Sequence, residues 1–259
     1  MTGFLFWKDN LEIVFDNVSF SYPGAGKPTL KNISLKITAG EKIALVGSNG
    51  AGKTTLIKLL CRFYDPTEGK ITVNGRDLKE IKLESYYSMI GVLFQEYSNY
   101  RLLVKEAIGV GRASARMNLD KIIKAAEQSD ADLFISKWAD KYEQQLGKEY
   151  TCGVEPSIAQ WQKLALARAF YRDPNIYILD EPTSSIDGEA EAKIFEKLGQ
   201  LPADRTVILI SHRFSTVRKA NRIVVMEDGA ITENGTHEEL LANDRTYARL
   251  FKLQAKGYQ

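Results

Sequence analysis

Cysteine is scarce in this chain. Its 259 residues include two, Cys61 and Cys152, and neither stands at metal-ligand spacing. A disulfide scaffold and a cysteine-based zinc site are therefore excluded, and two unpaired cysteines suit a reducing compartment. Cys61 lies in the apolar helical run "LIKLLCRFY" and reads as a small buried hydrophobe. One-signed charge is also lacking. Lysine plus arginine number 35 and aspartate plus glutamate 33, a net +2 with no long run of either sign. That balance gives no electrostatic footprint for nucleic acid or an anionic membrane surface. No apolar run approaches the ~18 residues of a membrane span. The start, "MTGFLFWKDN", lacks the basic region and apolar stretch of a secretory signal. Internal repeats and low-complexity tracts are missing. These absences describe a soluble intracellular chain.

Hydrophobic residues make up 44% of the chain, enough for one large core or a core with a small subdomain. Short β-type runs come first: "EIVF", "VSFSY" and "ISLKIT", the last two joined by the turn "PGAGKP". "KIALVG" reads as a fully buried strand running into "GSNGAGKTT" and the helix "LIKLLCRFY". "KITVNG" is a strand closed by an Asn-Gly turn. From about Ser98 to Arg172 the pattern is helical, with apolar helical spacing over "LDKIIKAAEQ". "IYILD" and "TVILIS" are further buried strands, separated by the helix "EAEAKIFEKLGQ". "RIVVMEDGAITENG" is a hairpin across Asp228-Gly229. Thr236 and Glu239 form a capping box opening a terminal helix. Strands alternating with helices give an α/β core. The early β-rich stretch and the middle helical stretch are additions to it.

Gly47 to Thr54 fits G-x-x-x-x-G-K-[ST] without a mismatch, between a strand and a helix. In that setting the backbone of Gly47, Ser48, Asn49, Gly50, Ala51 and Gly52 can curl its N–H groups toward phosphates. Lys53 reaches the β/γ oxygens, Thr54 offers a hydroxyl to Mg²⁺, and Thr55 adds a contact further back on the nucleotide. Asp180 ends the buried strand "IYILD", placed to hold Mg²⁺ through water. Glu181 beside it can polarise an attacking water. His212 ends the next strand; alone it would more often be structural, but beside Asp180 it can contact a γ-phosphate. Ser157 and Gln160 in "EPSIAQWQK" form a helix-start signature, and a helix start can hold a phosphate. The intervening residues, Ile158 and Ala159, are not the glycines such sites usually use.

Together these motifs resemble the nucleotide-binding domain of an ATP-binding cassette (ABC) transporter, over about residues 11–255. "GSNGAGKTT" resembles the Walker A loop and "IYILDE" the Walker B strand with its catalytic glutamate. "SSID", ending in Asp187, resembles the D-loop at the dimer interface. Gln95 resembles the Q-loop glutamine that senses Mg²⁺ and the transmembrane domain. His212 resembles the switch histidine, and Tyr22 in "FSYPG" the aromatic that stacks on adenine. The family signature L-S-G-G-Q aligns with Pro156, Ser157, Ile158, Ala159 and Gln160, so the leucine and both glycines are gone. "TCGVE", with Glu155 at its acidic position, resembles the segment that touches the coupling helices of exporters.

The resemblance implies a P-loop NTPase (RecA-like) core with an antiparallel β subdomain and an inserted α-helical subdomain. Residues 11–97 and 173–255 would form the core with its β subdomain and 98–172 the helical subdomain; 1–10 would be a connector or tag. It implies ATP and Mg²⁺ as ligands, and ATP hydrolysis that powers an exporter from the cytoplasmic face of the cell membrane. The partners would be a transmembrane domain outside this chain and a second nucleotide-binding domain, with no nucleic acid. Because each signature covers the partner's ATP, the degenerate one implies a different partner chain with an intact signature. A homodimer that tolerates Ile158 and Ala159 is the competing arrangement. A soluble ABC ATPase not coupled to transport is the alternative function, although it would normally carry a coiled-coil insertion or tandem cassettes. A domain that binds ATP only to hold a dimer is a third, opposed by intact Glu181 and His212.

Overall fold

The computed structural model describes residues 11–112 and 116–256; the connector or tag expected over 1–10 lies outside them. In chain order the elements begin with β1 (Ile13–Phe20), β2 (Leu30–Ile37), β3 (Lys42–Val46) and α1 (Lys53–Leu60). β4 (Glu68–Val73) and β5 (Arg76–Asp77) flank Asn74-Gly75. Both turn residues have positive φ, 48° and 76°, as a two-residue hairpin requires. Next come α2 (Leu83–Met89), β6 (Ile90–Leu93), α3 (Val104–Gly109), α4 (Leu119–Gln128), α5 (Asp132–Ile135) and α6 (Ile158–Arg172). The chain then runs through β7 (Ile176–Asp180), α7 (Gly188–Gly199), β8 (Thr206–Ile210), α8 (Phe214–Val217), β9 (Arg222–Glu227), β10 (Ala230–Gly235), α9 (His237–Ala242) and α10 (Thr246–Lys256).

Packing divides the chain into two units. The first holds the residues up to Ile90, Asn175–Asp180, and the chain from Pro202 onward. It contains an antiparallel sheet of order β2-β1-β4-β5. A second sheet has the order β10-β9-β3-β8-β7-β6. There β3 runs parallel to β8 and β9, β7 runs parallel to β8, and β10 closes antiparallel on β9. β7 and β8 are buried at every residue and β3 at all but its first. Strands covered on both faces need continuous apolar sequence, which is why "IALV", "IYIL" and "VILI" show no alternation. This is the α/β P-loop NTPase core with its antiparallel addition. Glu41 and Arg222 tie the start of β3 to the start of β9, with Arg222 Nη2 donating to Glu41 Oε2 at 2.9 Å.

The second unit is Gly91–Pro174 with Glu181–Leu201. In it α3 and α4 pack on α6. Arg168 of α6 is buried far enough that desolvation pushes its pKa down to about 10. Its Nε donates to the Ala107 carbonyl at 3.0 Å and its guanidinium lies 4.5 Å from the Tyr100 ring centre.

Two local expectations differ from what forms. "EIVF" and "VSFSY" belong to one strand, β1, not two. Asn17 takes φ 48° and the pairing registers shift around it, so a bulge absorbs the polar Asp16-Asn17 pair without ending the strand. The helical stretch from Ser98 to Arg172 is also less continuous than its pattern suggests. Between α5 and α6 the chain makes a short 3₁₀ turn and isolated bridges, Leu103 with Gln145 and Leu146 with Val154.

Candidate active site

The glycine loop starts where β3 stops. Gly47 has φ 149°, and a Cβ there would fall 2.2 Å from the Met226 carbonyl oxygen, a backbone atom that cannot step aside. Gly52 takes a left-handed conformation, φ 101°, as the residue that caps α1. Only glycine meets both demands cheaply. Between them Ser48, Asn49 and Gly50 are exposed, and Ala51 N–H donates to the Ser48 carbonyl at 3.2 Å. Lys53 is buried, and its ammonium donates to the carbonyls of Gly47 and Ser48 at 2.8 and 2.9 Å. A positive charge is thus held against the inside of the loop, where an anion would sit.

Thr54 and Asp180 meet directly. Asp180 is buried at the C-terminal end of β7, and its Oδ2 accepts from the Thr54 hydroxyl at 3.1 Å. Two hard oxygen donors side by side at the foot of a phosphate loop fit Mg²⁺, which takes one or two protein oxygens and completes its shell with phosphate and water. The neighbouring Thr55 hydroxyl shares a hydrogen bond with Tyr22 OH at 3.1 Å. Tyr22 stands edge-on to Phe20 and Tyr64, with ring centres 5.0 and 5.2 Å apart, and Lys58 Nζ lies 5.8 Å from its ring centre. His212 is exposed in the turn after β8. The structure therefore gathers Tyr22, the loop, Thr54, Thr55 and Asp180, and places His212 in the same unit.

The remaining sequence candidates lie in the second unit. Glu181 is half-buried in a left-handed conformation, φ 49°, uncommon for a residue with a side chain. Its carbonyl accepts from Gln162 Nε2 at 3.1 Å. The same amide donates to Ser184 Oγ at 3.0 Å, and Gln162 Oε1 accepts from Ser185 N–H at 3.0 Å. Sequence reasoning missed Gln162. It stands between Trp161 and Lys163 in a mixed polar and apolar turn of α6, where nothing in the sequence marks it out, and it is buried. Thr183 donates to Glu191 Oε1 at 2.7 Å, a buried pair that braces the same segment. Asp187 caps α7 by accepting from Glu189 and Ala190 N–H at 3.1 and 2.9 Å, and those bonds, that from Ala190 foremost, hold its carboxyl below the usual aspartate range. Gln95 is exposed just beyond β6.

Ser157 and Gln160 form a complete capping box at the head of α6. Ser157 Oγ accepts from Gln160 N–H at 3.3 Å, and Gln160 Oε1 accepts from Ser157 N–H at 2.9 Å. Ile158 opens α6 with 71% of its surface exposed, while Ala159 is half-buried. Tyr97 OH donates to the Ile158 carbonyl at 3.3 Å. Glu155 Oε1 accepts from Trp161 Nε1 at 3.1 Å and so fastens the preceding segment to α6.

A phosphate loop between a buried parallel strand and a helix, hydrogen-bonded to a strand-end carboxylate, defines a P-loop nucleotide-binding domain. Residues 30–184 match the family model for the ABC transporter. The chain is 42% identical over 238 residues to the subtilin transport ATP-binding protein SpaT of Bacillus subtilis, covering 92% of this chain and 39% of that protein. It is 42% identical over 243 residues to the ATP-dependent lipid A-core flippase of Escherichia coli K12, covering 94% and 41%. The structure of a bacterial Atm1-family ABC exporter with ATP bound superposes with a TM-score of 0.88 at 32% identity, covering 94% of this chain and 42% of that one. The chain belongs to the ABC transporter ATP-binding family. It spans about two fifths of the length of the curated relatives it matches. No helix among its described residues is long and apolar enough to cross a membrane.

Proposed function

We propose that this domain binds Mg-ATP, pairs with a second nucleotide-binding domain and hydrolyses the ATP to drive an exporter from the cytoplasmic face of the membrane. The observation that carries the reading is the placement of Lys53 and Thr54 at the start of α1, Lys53 bonded into the glycine loop and Thr54 to Asp180 at the end of β7. Lys53 exchanges its loop carbonyls for β/γ oxygens. Thr54, Asp180 and Gln95 are the residues that would hold Mg²⁺, which would neutralise phosphate charge when bound. Tyr22 stacks on the adenine while Thr55 supports the phosphates. Glu181 takes the proton of the attacking water, and His212 donates a hydrogen bond to the γ-phosphate. Residues 98–172 serve as the helical subdomain that carries the signature, Ser157 to Gln160, to the partner's ATP. Asp187 lies at the dimer interface. A transmembrane domain is the other partner, and the exporter relatives favour this over a soluble ATPase.

Because Ile158 and Ala159 replace both signature glycines, the pair is asymmetric: this chain's own ATP is hydrolysed under an intact signature from a different partner chain, and the partner's ATP is the slow site. The binding half of the proposal is tested by titrating Mg-ATP into Lys53→Ala. Removing a charge-assisted set of phosphate contacts should weaken affinity at least about a hundredfold. Parental affinity would mean the nucleotide sits elsewhere.

A further inference from the structure

The packed face of the last helix ends in a polar residue. Tyr247, Leu250 and Phe251 of α10 pack on a cluster that includes Phe214, Val217 and Leu240. Phe214 meets the rings of Tyr247 and Phe251 edge-on, with centres 5.2 and 5.4 Å away. Helical spacing puts position 254 next on that face, where another apolar residue would extend the cluster. The residue there is Gln254, and its amide is used at both ends. Oε1 accepts from Phe214 N–H at 2.8 Å, and Nε2 donates to the His212 carbonyl at 2.7 Å.

Those two backbone groups flank Arg213, so one side-chain amide bridges the turn that carries His212. α8 has four residues, and Arg213 at its N-cap makes no side-chain cap bond. The first N–H groups of any helix have no partner within it. Ser211 Oγ accepts from Arg213 N–H at 3.0 Å, so the bridge spans a turn already fastened at its middle. The paired task needs an acceptor and a donor on one rigid plane: glutamate can accept but not donate, methionine fills the volume and does neither well, and asparagine is one methylene short.

We infer that Gln254 is a positioning residue for His212, so that the C-terminal helix takes part in ATP hydrolysis without touching ATP. The inference rests on the role proposed for His212 above. It acts through the backbone at His212 and Phe214, fixing where β8 delivers the imidazole.

The test compares the 259-residue chain with Gln254→Met, Gln254→Glu, His212→Ala and the double variant His212→Ala/Gln254→Met. Steady-state ATPase is measured well below the melting temperature of each. Both Gln254 variants should lower kcat about tenfold or more, as small misplacements of a reacting group do, with KM for ATP unchanged. The double variant should be no slower than His212→Ala, because the two residues act as one unit. An arm independent of turnover is NMR: the His212 ring signals should move in Gln254→Met, and the Phe214 amide should exchange faster. Parental kcat in His212→Ala would sink the role of His212 itself. A loss in His212→Ala beside parental kcat and unmoved His212 signals in both Gln254 variants would overturn the positioning role. So would a double variant whose losses multiply, since that describes an anchor for α10 acting independently of His212.

Discussion

Replacing Ile158 and Ala159 together with glycine returns both glycines to the segment proposed as the signature, with Pro156 still in place of its leucine. The cost can be worked from where the residues sit. They are the first two residues of α6, after the Ser157 cap, and the capping box uses only Ser157 and Gln160. Glycine in a helix is less favourable than alanine by about 1 kcal/mol and than isoleucine by about half that, so the pair costs about 1.5 kcal/mol at most. Ile158 is 71% exposed, so its removal takes little from the core. For a domain of this size that corresponds to a fall in Tm of roughly 3–6 °C, read by thermal unfolding. The functional gain should be larger. Without the β-branched side chain, backbone N–H groups at the head of α6 can approach a partner's γ-phosphate, and one well-placed donor to developing charge is worth about 3 kcal/mol. ATPase activity of the isolated domain at high protein concentration should therefore rise at least about tenfold, and light scattering should show an ATP-dependent dimer when Glu181→Gln is added to prevent turnover. A parent that already turns over briskly, with no gain from the two glycines, would refute the degenerate-signature reasoning and favour the homodimer.

Tyr22→Ala should weaken ATP binding by about 1–3 kcal/mol, the worth of one base–aromatic stack, whereas Tyr22→Phe should stay within a few-fold because it loses only the bond to Thr55; calorimetric titration reads both, and an equal loss in the two would assign the effect to the hydroxyl. Burial pushes the Glu41 carboxyl up, but hydrogen bonds and charge from Arg222 and the Thr38 N–H outweigh it and leave the folded pKa lowered. A depressed carboxylate contributes stability that is fully present above its unfolded pKa and is lost as pH falls through the folded one. Urea unfolding across the acid range should therefore show a shallower loss of stability in Glu41→Gln than in the parent, and equal slopes would exclude this pair as a contributor.

Much of this was readable before the fold was seen, for identifiable reasons. The phosphate loop is fixed by backbone geometry that only particular glycines satisfy, so Gly47 and Gly52 advertise it. The buried strands β3, β7 and β8 announce themselves as short unbroken apolar runs. The capping boxes at Ser157 and Thr236 form as their spacing predicts. What escaped depended on partners distant in sequence. α2 and β6 are short and abut one another, so neither shows a full period. The single strand β1 was hidden by a polar pair that only its register reveals as a bulge. The left-handed Glu181 and the amide bridges of Gln162 and Gln254 leave no local trace, because glutamine at one position says nothing about which backbone groups await it.

The central claim is that this chain binds ATP and uses Glu181 as the base that hydrolyses it. The most direct measurement is a paired assay of Glu181→Gln, with Mg-ATP affinity by calorimetry and turnover by phosphate release. The substitution keeps shape and hydrogen bonding but removes the proton acceptor, which should reduce kcat by about 10²–10⁴ while leaving the ATP dissociation constant within a few-fold of the parent. Parental turnover in Glu181→Gln, with ATP still bound, would contradict the account.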